Sequence, residues 1–377
     1  MTTEVHFSRP TLGGEEERAV VEVIRSGWVV GGPRLEQFEQ AFAARCGARF
    51  AVGASSWTTA AFLVLKCWNI GPGDEVIVPS LTFIATVNAV RHTGATPVFA
   101  DIEPETWNIS PADVQRRITP KTRAIVAVDQ LGMPSDLAAF SHIAARHGLL
   151  LLDDAACAFG SRIGDTPVGA FGDAAVFSLH ARKVITTGEG GMILTRDRAL
   201  RDRLRCLRHQ GMSTTDYARH GARPSVFETY DQIGYNFRMT DMQAAIGLCQ
   251  LARADDILAR RAALAVRYTA ALRNTSLVKP PFVPPGVTPN WQSYQVMLRD
   301  DALLSRNRLL DELYNRGIHV RRGVMASHLE PAYAGFGQNL PVTERIAART
   351  LQLPLYPQLT FTEQDRVIAA LDQIAKG

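Results

Sequence analysis

Lysine is scarce in this sequence. Of 377 residues only Lys66, Lys121, Lys183, Lys279 and Lys376 are lysine, so arginine supplies most of the 41 basic side chains. The net charge of +4 is small and scattered, which argues against a nucleic-acid partner. Paired cysteines are missing too. Cys46, Cys67, Cys157, Cys206 and Cys249 are odd in number and include no CxxC. They read as free thiols in a reducing compartment, with neither a disulfide frame nor a zinc site. No apolar run reaches membrane-spanning length; the longest, such as residues 145–152, are broken by charge or glycine. The opening MTTEVHFSRP lacks the apolar core of a signal peptide. The expected location is the cytoplasm, with no membrane partner and no metal. There is no repeat of fixed period, and the glycine run at 188–191 is neither a Walker loop nor a dinucleotide fingerprint.

What is present centres on FSLHARKVITTGEGG, residues 177–191. Lys183 alone among the lysines has a serine five residues before it and a glycine-rich turn five residues after it. A lysine amine held in place can form a Schiff base with a carbonyl cofactor. Taken alone, Lys183 reads equally as a solvated loop lysine. The surplus of arginine would suit a phosphorylated ligand, because a guanidinium matches phosphate geometry.

The length allows two domains. Residues 1–13 read as an extended arm. Residues 14–255 read as a large α/β domain, in which short β-rich runs (EVIVPS, TPVFADI, AIVAVDQ, LLLLDDAA) alternate with helices stopped by glycine. That alternation predicts parallel βαβ units under a doubly covered sheet, with ligands beyond the carboxyl ends of the strands. Residues 211–233 read as a long exposed loop, and 256–377 as a smaller α+β domain. In the latter, VTERIAARTLQ is expected to be helical.

Several residues could carry chemistry, each with a plainer alternative. Ser56 and Thr58 open a helix after a strand, which makes either a phosphate site or an ordinary cap. Asp154 ends an apolar strand, where a buried carboxylate needs a positive partner such as a protonated pyridine nitrogen; a structural ion pair or helix cap is the alternative. Ser178 could donate to a phosphate or bond its own backbone. Phe83 could stack on an aromatic ring or belong to the core. Asn236 and Arg238 could reach an anion or serve a turn.

Read in order, SSWTT, PSLTFIATVNAV, GATPVFADI, DDAACAFG, GAFGDAAVFSLHARKVITTGEGGMILT, GYNFRMTDMQAAIG and LPLYPQLT resemble the DegT/DnrJ/StrS sugar aminotransferases. That group has fold type I of the pyridoxal phosphate (PLP) enzymes. The resemblance implies a mostly parallel seven-stranded sheet in the large domain. It implies that Lys183 holds PLP covalently and shuttles a proton, and that Asp154 faces the ring nitrogen. Ser178 and Thr58 are similar to the phosphate-binding hydroxyls, and Phe83 to the aromatic residue on the ring. Asn236 corresponds to an asparagine lent to the neighbouring subunit, so a homodimer with shared sites is implied. Two positions depart from the pattern. Trp57 replaces a glycine in the phosphate loop, and its indole must point away or line the entrance. Cys157 replaces a longer polar residue near the ring hydroxyl, and a thiol is a weak donor.

The implied reaction moves an amino group from an amino acid, with L-glutamate expected, to a keto sugar, expected to be a nucleotide-linked 3- or 4-keto-deoxysugar. Cell-surface polysaccharide or secondary-metabolite biosynthesis is the expected setting. Arg238, Arg321, Arg322 and the 211–233 loop are candidates for the diphosphate. His328 could touch the sugar or lie at the surface. A PLP-dependent sugar dehydratase of the same group is a rival, but such relatives carry histidine where Lys183 stands. A non-catalytic sensor is a second rival.

Overall fold

The structure, a computed structural model, describes residues 4–214, 216–220, 227–336 and 338–376. Seven strands form the central sheet: β1 (Phe50–Ala54), β2 (Glu75–Pro79), β3 (Thr96–Ala100), β4 (Thr122–Val128), β5 (Leu150–Asp154), β6 (Ala174–Ser178) and β7 (Gly191–Thr195). Their order is β1-β7-β6-β5-β4-β2-β3. Only β7 runs antiparallel to its neighbours. The inner strands are apolar on both faces because helices cover both. Val52, Val126, Leu152, Val176 and Ile193 face one apolar layer, packed under helices Trp57–Cys67 and Arg198–Leu207. Phe42, Phe159, Phe177 and Leu194 belong to the layer on the other side. A fully buried aliphatic side chain contributes about 1.5–3 kcal/mol, so these layers hold the strand ends in fixed relation.

A second core lies towards the C-terminus, around Tyr268, Tyr294, Leu309 and Val367. It includes a four-stranded antiparallel sheet of β8 (Val278–Lys279), β9 (Tyr294–Leu298), β10 (Arg321–Arg322) and β11 (Thr350–Leu353), in the order β8-β9-β11-β10. Here the sequence reading needs correction. The helix over VTERIAARTLQ ends at Arg349, and Thr350–Leu353 turns directly into β11. Helix Pro111–Arg117 was not expected, although Ser110 caps it and proline opens it. Within 211–233 there is a short helix, Asp216–His220, and Met212 pairs with Tyr230. Residues 215 and 221–226 of that loop lie outside the described residues.

The arm is not loose. Val5 is fully buried and forms a parallel bridge with Ile318. Two cross-connections tie the C-terminal core to the large sheet. Asn290 Nδ2 donates to the carbonyls of Cys157 (2.7 Å) and Phe159 (2.8 Å). Residues 326–328 lie against the end of β2, with Ser327 N donating to Ser80 O at 2.8 Å and Ser327 Oγ to Thr82 O at 3.0 Å. Among the described residues no helix is long and apolar enough to cross a membrane.

Candidate active site

The carboxyl ends of β1, β2, β4, β5 and β6 converge on one cavity of about 620 Å³. Trp57, Thr58, Phe83, Asp154, Cys157, Ser178 and Lys183 all line it. Residues 321–325 form part of another wall. Ligands are expected at this edge of an open α/β sheet.

Asp154 lies at the floor and is 2% exposed. Thr86 Oγ1 donates to its Oδ2 at 2.7 Å, and Ala156 N donates to Oδ1 at 3.2 Å. Burial pushes its pKa up to about 6, against the opposing pull of those two donors and of Lys183. A carboxylate so placed is poised for a cationic partner. Asp153, its neighbour on β5, is completely buried, and burial above all keeps it protonated well beyond the usual carboxylate range. Asp129, at the end of β4, accepts from Ser135 N (2.7 Å) and Ser135 Oγ (2.9 Å), and burial raises it to about 7. Lys183 Nζ donates to Cys157 Sγ at 3.0 Å.

Sheet register explains how the glycine run serves the site. Gly191 opens β7 and pairs with Ala54 on one side and Ser178 on the other. A Cβ on Gly191 would lie 2.4 Å from Ser56 O and 2.9 Å from Trp57 N. Only glycine lets β7 approach the start of helix Trp57–Cys67 so closely. Thr58, at the start of that helix, and Ser178 both line the cavity, and Ser178 Oγ accepts from His180 N at 3.4 Å. Ser56 caps the helix, accepting from Thr59 N.

The Trp57 indole points away from the solvent. It is 6% exposed, and its Nε1 donates to Val176 O at 3.0 Å within the layer under the sheet. It therefore does not hang across the entrance. Phe83 is 65% exposed and hence no core aromatic. It lines the cavity. Arg321 and Arg322 line the cavity and are exposed. His328 is a correction: it is neither at the surface nor at the cavity. It is 4% exposed, with Nδ1 2.6 Å from Ser80 Oγ and Nε2 3.3 Å from Glu344 Oε1. It joins the two cores. Arg238 lies outside the lining, with Nη1 2.5 Å from His209 Nδ1. Asn236 pairs with His209 and is likewise outside the lining of this chain's own cavity.

Some lining residues escaped the sequence reading. Thr86 is one; it lies in the first turn of helix Ile84–His92, and its hydroxyl is 2.9 Å from that of Thr82, just ahead of the helix. His180 and Glu189 also face the cavity, 3.8 Å apart, and burial holds His180 below its ordinary range. Phe7 and Ser8 reach it from the arm, which no local signal announces.

These residues fit pyridoxal phosphate. A buried carboxylate at the floor suits a protonated ring nitrogen, a lysine lies beside it, and hydroxyls and a helix start suit a phosphate. Comparison with known proteins agrees. A model described as the DegT/DnrJ/EryC1/StrS aminotransferase family matches residues 10–372. The spore coat polysaccharide biosynthesis protein SpsC of Bacillus subtilis is 40% identical over 379 residues, covering 98% of this chain and 97% of that protein. GDP-perosamine synthase of Caulobacter vibrioides is 39% identical over 374 residues, covering 98% of each. The crystal structure of S. venezuelae DesV in complex with a ketimine intermediate matches with a TM-score of 0.92 at 36% identity, covering 100% of both chains. The fold is that of the type I PLP-dependent transferases. The chain belongs to the DegT/DnrJ/EryC1/StrS aminotransferase family, as a sugar aminotransferase with pyridoxal phosphate as its cofactor.

Proposed function

We propose that the chain transfers the amino group of L-glutamate to a nucleotide-linked 3- or 4-keto-deoxysugar, with Lys183 as the residue that binds the cofactor covalently. The observation that carries this reading is the placement of Lys183 and Asp154 in one cavity, with the lysine amine against a thiol instead of a carboxylate. When bound, the cofactor supplies an electrophilic carbon and an electron-withdrawing ring. Asp154 holds the proton on the ring nitrogen, and Thr86 orients that carboxylate. Ser178, Thr58 and the N–H groups of helix Trp57–Cys67 hold the phosphate. Phe83 covers the ring. Lys183 Nζ, when not bonded to the cofactor, would hold and move the proton taken from the donor's α-carbon, and with the keto sugar the same amine would work in the opposite direction. Cys157 supports the amine in place of a contact to the ring hydroxyl.

Arg321 and Arg322 bind the diphosphate of the acceptor. The name of GDP-perosamine synthase supports a nucleotide-linked sugar. The active unit is a homodimer in which each chain lends Asn236 to its neighbour's phosphate site. Two features support this. Asn236 does not line its own chain's cavity, and Val21, Ile24, Phe227 and Ile233 are exposed apolar side chains in want of a cover.

Borohydride reduction of the holoenzyme followed by peptide mapping tests the central assignment. The pyridoxyl label should fall on Lys183, and a label elsewhere overturns it. Glutamate should bleach the absorbance at the edge of the visible; a band that survives every amino donor would favour a sensor. For the shared site, mixing Lys183→Ala with Asn236→Ala chains should restore activity, since one of the two hybrid sites is complete. No restoration would place Asn236 outside the neighbour's site.

A further inference from the structure

The N-terminal arm bridges the two cores beside the cavity. Val5 N donates to Gly317 O at 2.8 Å, and His319 N donates to Val5 O at 2.9 Å. Leu355 N donates to Phe7 O at 3.4 Å, so residues 5–7 are fixed to the C-terminal core. Farther along, Thr11 O accepts from Gln250 Nε2 (2.7 Å) and Arg253 Nη2 (3.2 Å), which belong to the other side. Between these anchors Phe7 and Ser8 enter the cavity lining.

The Arg321 guanidinium carbon sits 5.7 Å from the centroid of the Phe7 ring. Arg321 has no carboxylate within ion-pairing distance among the described residues, whereas Arg322 faces Glu330 at 3.8 Å. Among the described residues the one hydrogen bond of the Arg321 guanidinium is a 3.4 Å contact to Val320 O. A long, exposed arginine with no counter-ion usually samples many rotamers, and ordering it costs side-chain entropy. An aromatic plate changes this. The guanidinium lies over the ring, an attraction that restrains it without using up its N–H donors, which stay available to an oxyanion.

We propose that Phe7 is a positioning residue for Arg321, and that the pair forms the anion-binding corner of the cavity, which takes the diphosphate of the acceptor. The inference rests on the nucleotide-linked acceptor proposed above. It gives the arm a part in substrate selection, because loss of the ring leaves Arg321 charged but unaligned. Arg322, already drawn towards Glu330, is the weaker of the two cations at this wall.

The test is calorimetric titration of the holoenzyme with GDP, UDP and TDP in parallel. The wild type should bind at least one of them. Arg321→Ala should weaken that binding about ten-fold or more, the loss of a charge-assisted phosphate contact. Phe7→Leu keeps an apolar side chain without a ring face and should weaken it about three- to five-fold. Phe7→Tyr should restore it. In an Arg321→Ala background, Phe7→Leu should cost nothing further, which a merely structural effect of the arm would not produce. Wild-type affinity in Phe7→Leu, or an undiminished penalty in the Arg321→Ala background, overturns the inference. Binding that Arg321→Ala leaves intact overturns it while sparing the nucleotide-linked acceptor. If the wild type binds none of the three, both fall together.

Discussion

Lys183 Nζ lies 3.0 Å from the sulfur of Cys157. A thiol is a weak hydrogen-bonding partner and does not anchor an ammonium as a carboxylate would. Cys157→Asp should therefore favour the charged amine and move the pH profile of cofactor capture by the apoenzyme to higher pH by about one unit or more. Cys157→Ser should leave that profile close to the wild type. The measurement is the rate of visible-edge absorbance growth after adding PLP across a pH series. An unmoved profile in Cys157→Asp would separate the two side chains functionally.

Asp154 should make the cofactor-free protein sensitive to alkali. Its pKa is raised by burial from the ordinary 3.8 to about 6. The folded chain thus binds this proton more tightly than the unfolded chain. The corresponding stability is complete below about pH 4 and is lost as pH rises through about 6. Asp154→Asn removes the buried charge. The apo variant should exceed the wild type by about 2–3 kcal/mol at pH 8, with the gap closing towards pH 4. Thermal melts at both ends of this range check the prediction. A gap that widens on acidification would contradict it. Asp129 and Asp153 titrate upward for the same reason, burial, so a part of the wild type's alkaline loss will remain in the variant.

Trp57→Gly restores the residue usual at this place in the family, and the structure says it will do harm. The indole fills the layer under the sheet and bonds Val176 O. Truncation should cost about 3–5 kcal/mol, read as a fall in the denaturant midpoint. A stable variant with a changed acceptor preference would mean that the indole turns towards the substrate.

His328→Ala should loosen the joint between the two cores. It leaves Ser80 Oγ with one fewer partner in a buried place, at a cost of about 1–3 kcal/mol. Chemical denaturation measures this. His328→Asn, which can still bond Ser80, should recover part of the loss, and equal loss in both variants would point to packing alone.

The strand ends were legible because hydrophobic runs and glycine stops report backbone period directly. β5 ending at Asp154 and β6 ending at Ser178 follow from LLLLDD and AAVFS. Lys183 stood out through its scarcity and spacing. What failed to appear in the sequence depends on which way a side chain turns once packed. Trp57 and His328 are both buried, and Phe83 is exposed, because their surroundings come from distant segments. Val176 receives the indole and Ser80 the imidazole. Phe7 lies more than three hundred residues before its arginine in the chain. The switch from helix to β11 at Thr350 had a local cue, a β-branched residue after Arg349, but helical periodicity ran through it.

The binding of residues 326–328 to Ser80 and Thr82, together with the clasp of Asn290 on Cys157 and Phe159, has a practical result. The cavity wall at Val324 and Met325 is fastened to the strand ends, so admitting a substrate need not swing one half of the molecule against the other. Crystals grown without substrate should accept it by soaking, keeping their lattice and their diffraction.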